Sequence, residues 1–217
     1  MFYTNSIMKI AIDIDKTLFD CKKSLIYQVA NSLEKIIPKR HKDFKYLTKE
    51  DAKNIPIKFR NLFGKMGDPE KYEEVDGSVD IIKKFASEGH QIAFLSSRPN
   101  MRIMNQVIIS WLQKHDLPND FVVVNCSDKA GFCLEHGIDV LIDDGLKNCV
   151  STNSLGISTI HLNPSKKFSK ENAGVKNPDK FYVANGWKEV ENQIRNIEKS
   201  QNNKDLEELE EIQQMGM

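Results

Sequence analysis

No apolar stretch in this chain approaches the roughly 20 residues a helix needs to cross a bilayer. The opening MFYTNSIM lacks the basic and apolar regions of a secretory leader. Cysteine is sparse, and Cys21, Cys126, Cys133 and Cys149 form no CxxC pair. That spacing suits small buried hydrophobes in a reducing cytoplasm, not a disulfide framework or a zinc site. Charge of neither sign dominates, since 31 Lys and Arg balance 31 Asp and Glu. A chain without a basic excess is not built as a general binder of nucleic acid polymers. His41, His90, His115, His136 and His161 show no ligand spacing. The expectation is a cytoplasmic protein with no membrane or nucleic-acid partner, and nothing in the pattern marks an oligomeric state.

What the chain does have is alternation. Its 217 residues, 40% hydrophobic, suffice for one full core and a smaller lobe. Short apolar runs occur at KIAIDI (9–14), QIAFLS (91–96), FVVVN (121–125), DVLID (139–143) and ISTIHL (157–162). Between them, 104–115 and 129–137 carry apolar residues at helical spacing, which predicts βαβ units and an α/β fold with a mostly parallel sheet. About 75 residues separate the first strand from QIAFLS, too many for one crossover. The Lys- and aromatic-rich segment 21–78 shows helical stretches and no clear strand, so it reads as an inserted helical cap. Residues 1–20 and 79–200 then form the core, and 201–217 an acidic, solvated helical tail. The cap aromatics Phe44, Tyr46, Phe59 and Phe63 are expected to form that lobe's own core.

In such a sheet, chemistry gathers beyond the carboxyl ends of the parallel strands. The first strand delivers Asp13 and Asp15. QIAFL delivers Ser96, followed by Ser97 and Arg98, with Ser96 preferred because it directly follows the apolar run. FVVVN leads to Asp128 and Lys129, and DVLI delivers Asp143 and Asp144. Clustered carboxylates repel one another, so the group calls for a hard cation, and a few acids with phosphate and water oxygens is the usual Mg²⁺ arrangement. Lys129 and a strand-end hydroxyl would serve a phosphate's other oxygens. Asp13 could attack phosphorus, while Asp15 protonates the leaving oxygen and later activates water.

DIDKT resembles the DxDx[TV] motif of the haloacid dehalogenase superfamily, LSSRP its strand-end Ser/Thr, SDK its lysine, and LIDD its acidic fourth motif. All four occur in order across residues 9–144. The resemblance implies a Rossmann-like core with a type-one cap and an aspartyl-phosphate mechanism. It makes Asp13 the nucleophile and Asp15 the general acid/base. Ser96 and Lys129 bind phosphate, with Ser97 and Arg98 beside them. Asp13, Asp15, and Asp143 or Asp144 hold Mg²⁺. An acid at Asp15 is the phosphatase pattern. Lys16 departs from the motif, where Gly is usual, and a solvent-facing side chain would accommodate the turn.

Residues 69–99 and FYVANGWKEVENQI (181–194) are similar to the 5′(3′)-deoxyribonucleotidase-like (type C) branch, which implies a nucleoside monophosphate as substrate. Cys21, following Asp20, stands where the nucleotidases proper carry an aromatic. Alternatives are a sugar phosphate or other small phosphomonoester and, in a different class, a phosphate-ligand-binding protein without turnover.

Overall fold

A computed structural model describes residues 7–20, 45–47, 72–100 and 102–215. In chain order the elements are β1 (Lys9–Asp13), β2 (Phe19–Asp20), β3 (Lys45–Leu47), β4 (Glu73–Glu74), α1 (Ser78–Ser87), β5 (Gln91–Leu95) and α2 (Arg102–Lys114). There follow β6 (Val122–Val124), α3 (Lys129–Glu135), β7 (Val140–Asp143), α4 (Leu146–Ser154), β8 (Ser158–Leu162), a 3₁₀ turn at Pro178–Lys180, β9 (Phe181–Ala184) and α5 (Trp187–Met215). The main sheet has the order β3-β6-β5-β1-β7-β8-β9 and is parallel except for the edge strand β3. β2 and β4 form a separate antiparallel pair.

Alternation along the strands assigns side chains to two faces. Ile10, Ile12, Phe94, Val122, Ile142 and Ile160 pack with Ile82 and Phe85 of α1, Trp111 of α2, and Trp187, Val190 and Ile194 of α5. Ala11, Ala93, Leu95, Val123 and Leu141 face the other way, onto Phe132 and Cys133 of α3. The small side chains at 11 and 93 share this face with Phe132 and Cys133 of α3, and the candidate acids project from the same face. Strands buried on both faces explain the near-continuous apolar runs.

The sheet grows in both directions from β1, toward β5 and β6 on one side and β7 to β9 on the other. The carboxyl ends of β1, β5 and β7 therefore meet at the topological switch point, where open α/β sheets carry their ligands.

The sequence reading expected no strand within 21–78, yet β3 and β4 lie there. β3 donates its edge to β6, so Tyr46 packs against Phe121, Phe132 and His136 of the core domain and is not cap interior. Tyr72 is buried in the main core, and its carbonyl accepts the Trp111 indole N–H at 3.0 Å. Residues 72–78 thus pack with the core. Most of the expected cap, with Phe44, Phe59, Phe63 and Cys21, lies outside the described residues. The acidic tail continues α5 without a break through Met215. Among the described residues no helix is long and apolar enough to cross a membrane.

Candidate active site

Register brings the acids together. Ile12 pairs with Ile142 across β1 and β7, so Asp13 and Asp143 follow at one level. Both share the parity of Ala11 and Leu141, the face covered by α3. Lys129 opens α3 just after Asp128, whose side chain caps the helix by accepting the Gly131 N–H at 2.9 Å. The buried Lys129 ammonium donates to Asp13 Oδ1 and, at 2.7 Å, to Asp143 Oδ2.

Asp143 is further fixed by the Gly145 N–H at 2.7 Å and Asn148 Nδ2 at 3.0 Å. A Cβ at Gly145 would stand 2.8 Å from Asp143 Oδ1, so this close approach requires glycine. Asp144 follows, half-buried; its N–H donates to Thr17 Oγ1 at 3.2 Å and its carboxylate lies 3.8 Å from the exposed Lys16 ammonium. Lys16 has φ of 64°, a left-handed conformation in which glycine is the unstrained residue. This explains why Gly is usual there; the Lys16 side chain is exposed and sets its ammonium beside Asp144.

Asp15 is engaged differently. The Arg98 guanidinium takes both of its oxygens, Nε at 2.8 Å to Oδ2 and a terminal nitrogen to Oδ1. Arg98 is itself nearly buried, lies over the Phe19 ring at 5.6 Å, and its N–H donates to Ser96 Oγ at 3.1 Å. Arg98 thus pairs with the acid/base candidate, the structural partner near the site that the sequence admits beside a substrate contact. Ser96 is fully buried at the end of β5 and Ser97 half-buried behind it.

Oxygens of Asp13, Asp143 and Asp144 lie within 4.8 Å of one another. Asp15 is not in that group; Arg98 holds it. Four carboxylates, Asp13, Asp15, Asp143 and Asp144, meet the buried cations Lys129 and Arg98 and the exposed Lys16 beside Asp144, which leaves a formal excess of one negative charge among the described residues. Burial pushes the Asp13 carboxyl well above its usual range; Lys129 opposes this, while Asp143 and Asp15 add to it. Asp144 is raised too, by burial and by Asp143. For Lys129, burial disfavours the ammonium, but Asp13 and Asp143 outweigh it and raise its pKa. An all-oxygen donor set of three clustered carboxylates suits a hard divalent cation, and Asp13, Asp143 and Asp144 are the residues that fit one.

The sequence reading passed over three contributors. Thr17 stood inside the DIDKT motif and was given no part. Asn148 has no signal, because a helix-start Asn is common without function. His161, one residue before the end of β8, lies beside Asp143, and its place near a strand end is a signal the sequence carries.

The fold recurs in solved structures. A "predicted phosphatase" from Clostridium acetobutylicum has 16% identity, covering 88% of this chain and all of that one, with a TM-score of 0.55. A haloacid dehalogenase-like family hydrolase from Xanthomonas campestris has 11% identity, covering 92% and 99%, with a TM-score of 0.53. At such identities the likeness establishes a haloacid dehalogenase-type Rossmann-like fold. In sequence, the chain is 29% identical over 86 residues to membrane-associated phosphatidylinositol transfer protein 2 of mouse and of human. The stretch amounts to 40% of this chain and only 5% of either relative's length. The family described as the PITM 1-3, LNS2 domain matches residues 57–176, a span that holds Ser96, Arg98, Lys129, Asp143 and Asp144 but begins after Asp13 and Asp15. That span is 120 of the 217 residues, and the chain belongs to the LNS2 domain family.

Proposed function

We propose that this protein is a Mg²⁺-dependent phosphomonoester hydrolase working through an aspartyl-phosphate on Asp13, with a nucleoside monophosphate as favoured substrate. The observation that carries it is the clustering of Asp13, Asp143 and Asp144, with Lys129 donating to the first two and Asp15 held by Arg98. Mg²⁺ bound by Asp13, Asp143 and Asp144 would supply positive charge to the transferring phosphoryl oxygens. Lys129 holds Asp13 and is placed to share the same negative charge. The Asp13 oxygen forms a bond to phosphorus as the bond to the leaving oxygen breaks, and Asp15 gives that oxygen its proton. Water then attacks the aspartyl-phosphate, Asp15 takes its proton, and phosphate leaves with Asp13 restored.

Arg98 keeps Asp15 in one orientation for both steps. Its planar fork suits that task better than a lysine's point charge. The similarity of residues 69–99 and 181–194 to the deoxyribonucleotidase-like branch supports a nucleotide, with a small sugar phosphate as the nearest alternative.

A second reading, phosphate binding without turnover, draws on one observation. The LNS2 match takes in Ser96, Lys129 and Asp143 but neither Asp13 nor Asp15. The relatives' name would extend this reading to a phosphorylated lipid headgroup. Against it stands the intact acid pair, since a binder has no use for Asp15. The test is phosphate release with Mg²⁺ from nucleoside monophosphates, sugar phosphates and a short-chain lipid phosphomonoester, with Asp13→Asn as control. Turnover lost in Asp13→Asn supports the hydrolase. Binding of these ligands by both proteins with no release favours the second reading.

A further inference from the structure

His161 had no place in the acid–cation chemistry, yet the fold brings it to the site. It lies one residue before the end of β8, opposite Asp143, buried to 4% exposure. Its Nε2 lies 3.2 Å from the carbonyl oxygen of Asp144. A carbonyl only accepts, so Nε2 carries the proton. Nδ1 is then a bare lone pair, buried and without a hydrogen-bond partner among the described residues. The ring stands edge-on to Phe168 and Phe181, which fix its plane. Burial also lowers its pKa, in keeping with a neutral ring.

The peptide groups around Asp144 are therefore held from two sides. Thr17, in the turn after β1, accepts the Asp144 N–H, and His161 donates to the Asp144 carbonyl. Gly145 N–H turns back onto Asp143 Oδ1. With the backbone clamped, only side-chain rotation remains to Asp144, the most exposed of the three converging acids.

We infer that His161 is a positioning residue for the divalent cation: by anchoring the Asp144 carbonyl it presents the Asp144 carboxylate as the third ligand beside Asp13 and Asp143. The inference rests on the proposed role of Asp144 as a cation ligand. Partners of this kind, one step behind the ligands, are worth roughly 10- to 100-fold in metal affinity.

The experiment is Mg²⁺ titration by calorimetry of wild type, His161→Leu and His161→Gln, with thermal unfolding of each. The Gln side-chain amide can place an N–H near the position of Nε2, while Leu cannot. Mg²⁺ binding should weaken about tenfold in His161→Leu and be largely restored in His161→Gln. Equal affinity in all three proteins would overturn the inference, even if their unfolding temperatures differ. No Mg²⁺ binding by wild type would overturn the proposed hydrolase instead, so the two failures are distinct. Should His161→Leu not fold, ring ¹⁵N spectra of wild type decide. A proton on Nε2 with a resonance that moves on Mg²⁺ addition supports the anchor, and a proton on Nδ1 or an unmoved resonance overturns it.

Discussion

Among the described residues two networks of largely buried charge stand out, and their contrast separates a candidate site from a strut. At the switch point, Asp13, Asp15, Asp143 and Asp144 meet the buried cations Lys129 and Arg98 and the exposed Lys16. At the seam between α1 and α5, Arg195 takes both oxygens of Glu88 and both of Glu198, with its guanidinium over the Phe85 ring. His90 completes the seam: Nδ1 accepts the Met8 N–H at 3.1 Å, and Nε2 lies 3.0 Å from Glu198 Oε1. In the seam Arg195 and Glu88 each stay one-quarter exposed, so water shares the charge. At the switch point Asp13 and Asp143 are nearly sealed, while Asp15 and Asp144 keep 21% and 29% of their side chains exposed. The seam ties α1 to α5 through ion pairs, whereas the switch point gathers three acids whose oxygens lie within 4.8 Å of one another, an arrangement that suits a cation.

Substitutions should separate the two. The largest effect belongs to Asp13→Asn, for which turnover should fall by about three orders of magnitude or more with the fold kept. Activity near wild type would remove the nucleophile. Arg98→Ala should come next, with kcat reduced roughly 10- to 100-fold and KM changed less, because Arg98 orients Asp15 and not the substrate. Partial rescue by Arg98→Lys fits that role, while an effect on KM alone would make Arg98 a substrate contact.

In the seam, Arg195→Met should leave kcat unchanged and cost about 2 kcal/mol, because Glu198 stays buried with less compensation. For a chain of this size that is a fall in Tm of about 4–8 °C. A loss of kcat with no change in Tm would dissolve the distinction between the networks.

A smaller difference should appear against pH. The folded-state pKa values of Asp13 and Asp144 lie above their ordinary value, so the folded protein binds more protons than the unfolded one from about pH 4 upward through those raised values. Their contribution to stability therefore falls as pH rises through that window in EDTA-treated protein. Saturating Mg²⁺ should flatten the slope, and an identical slope with and without Mg²⁺ would argue against a cation on these acids.

Much of the site was legible because strand parity and strand ends are properties of local sequence. Asp13, Lys129, Asp143 and Asp144 come together through a repeat of two residues and one helix start. The partner of Asp15 was not legible, since Arg98 reaches it through the loop after β5, and loop direction carries no periodic signal. β3 escaped for a related reason: three residues pairing at an edge leave no alternating pattern, and the helical character of the surrounding segment masked them. Seam residues such as Glu198 read as one side of an amphipathic helix, and only packing against α1 gives that side its partner.

A phosphoryl group carried by Asp13 should be trapped by rapid acid quench during turnover of an aryl phosphate with Mg²⁺, followed by peptide mass spectrometry. The expected result is a phosphoryl adduct on the peptide holding Asp13, discharged by hydroxylamine and absent from Asp13→Asn. Turnover with no adduct at any time point, or with the adduct on another residue, would contradict it.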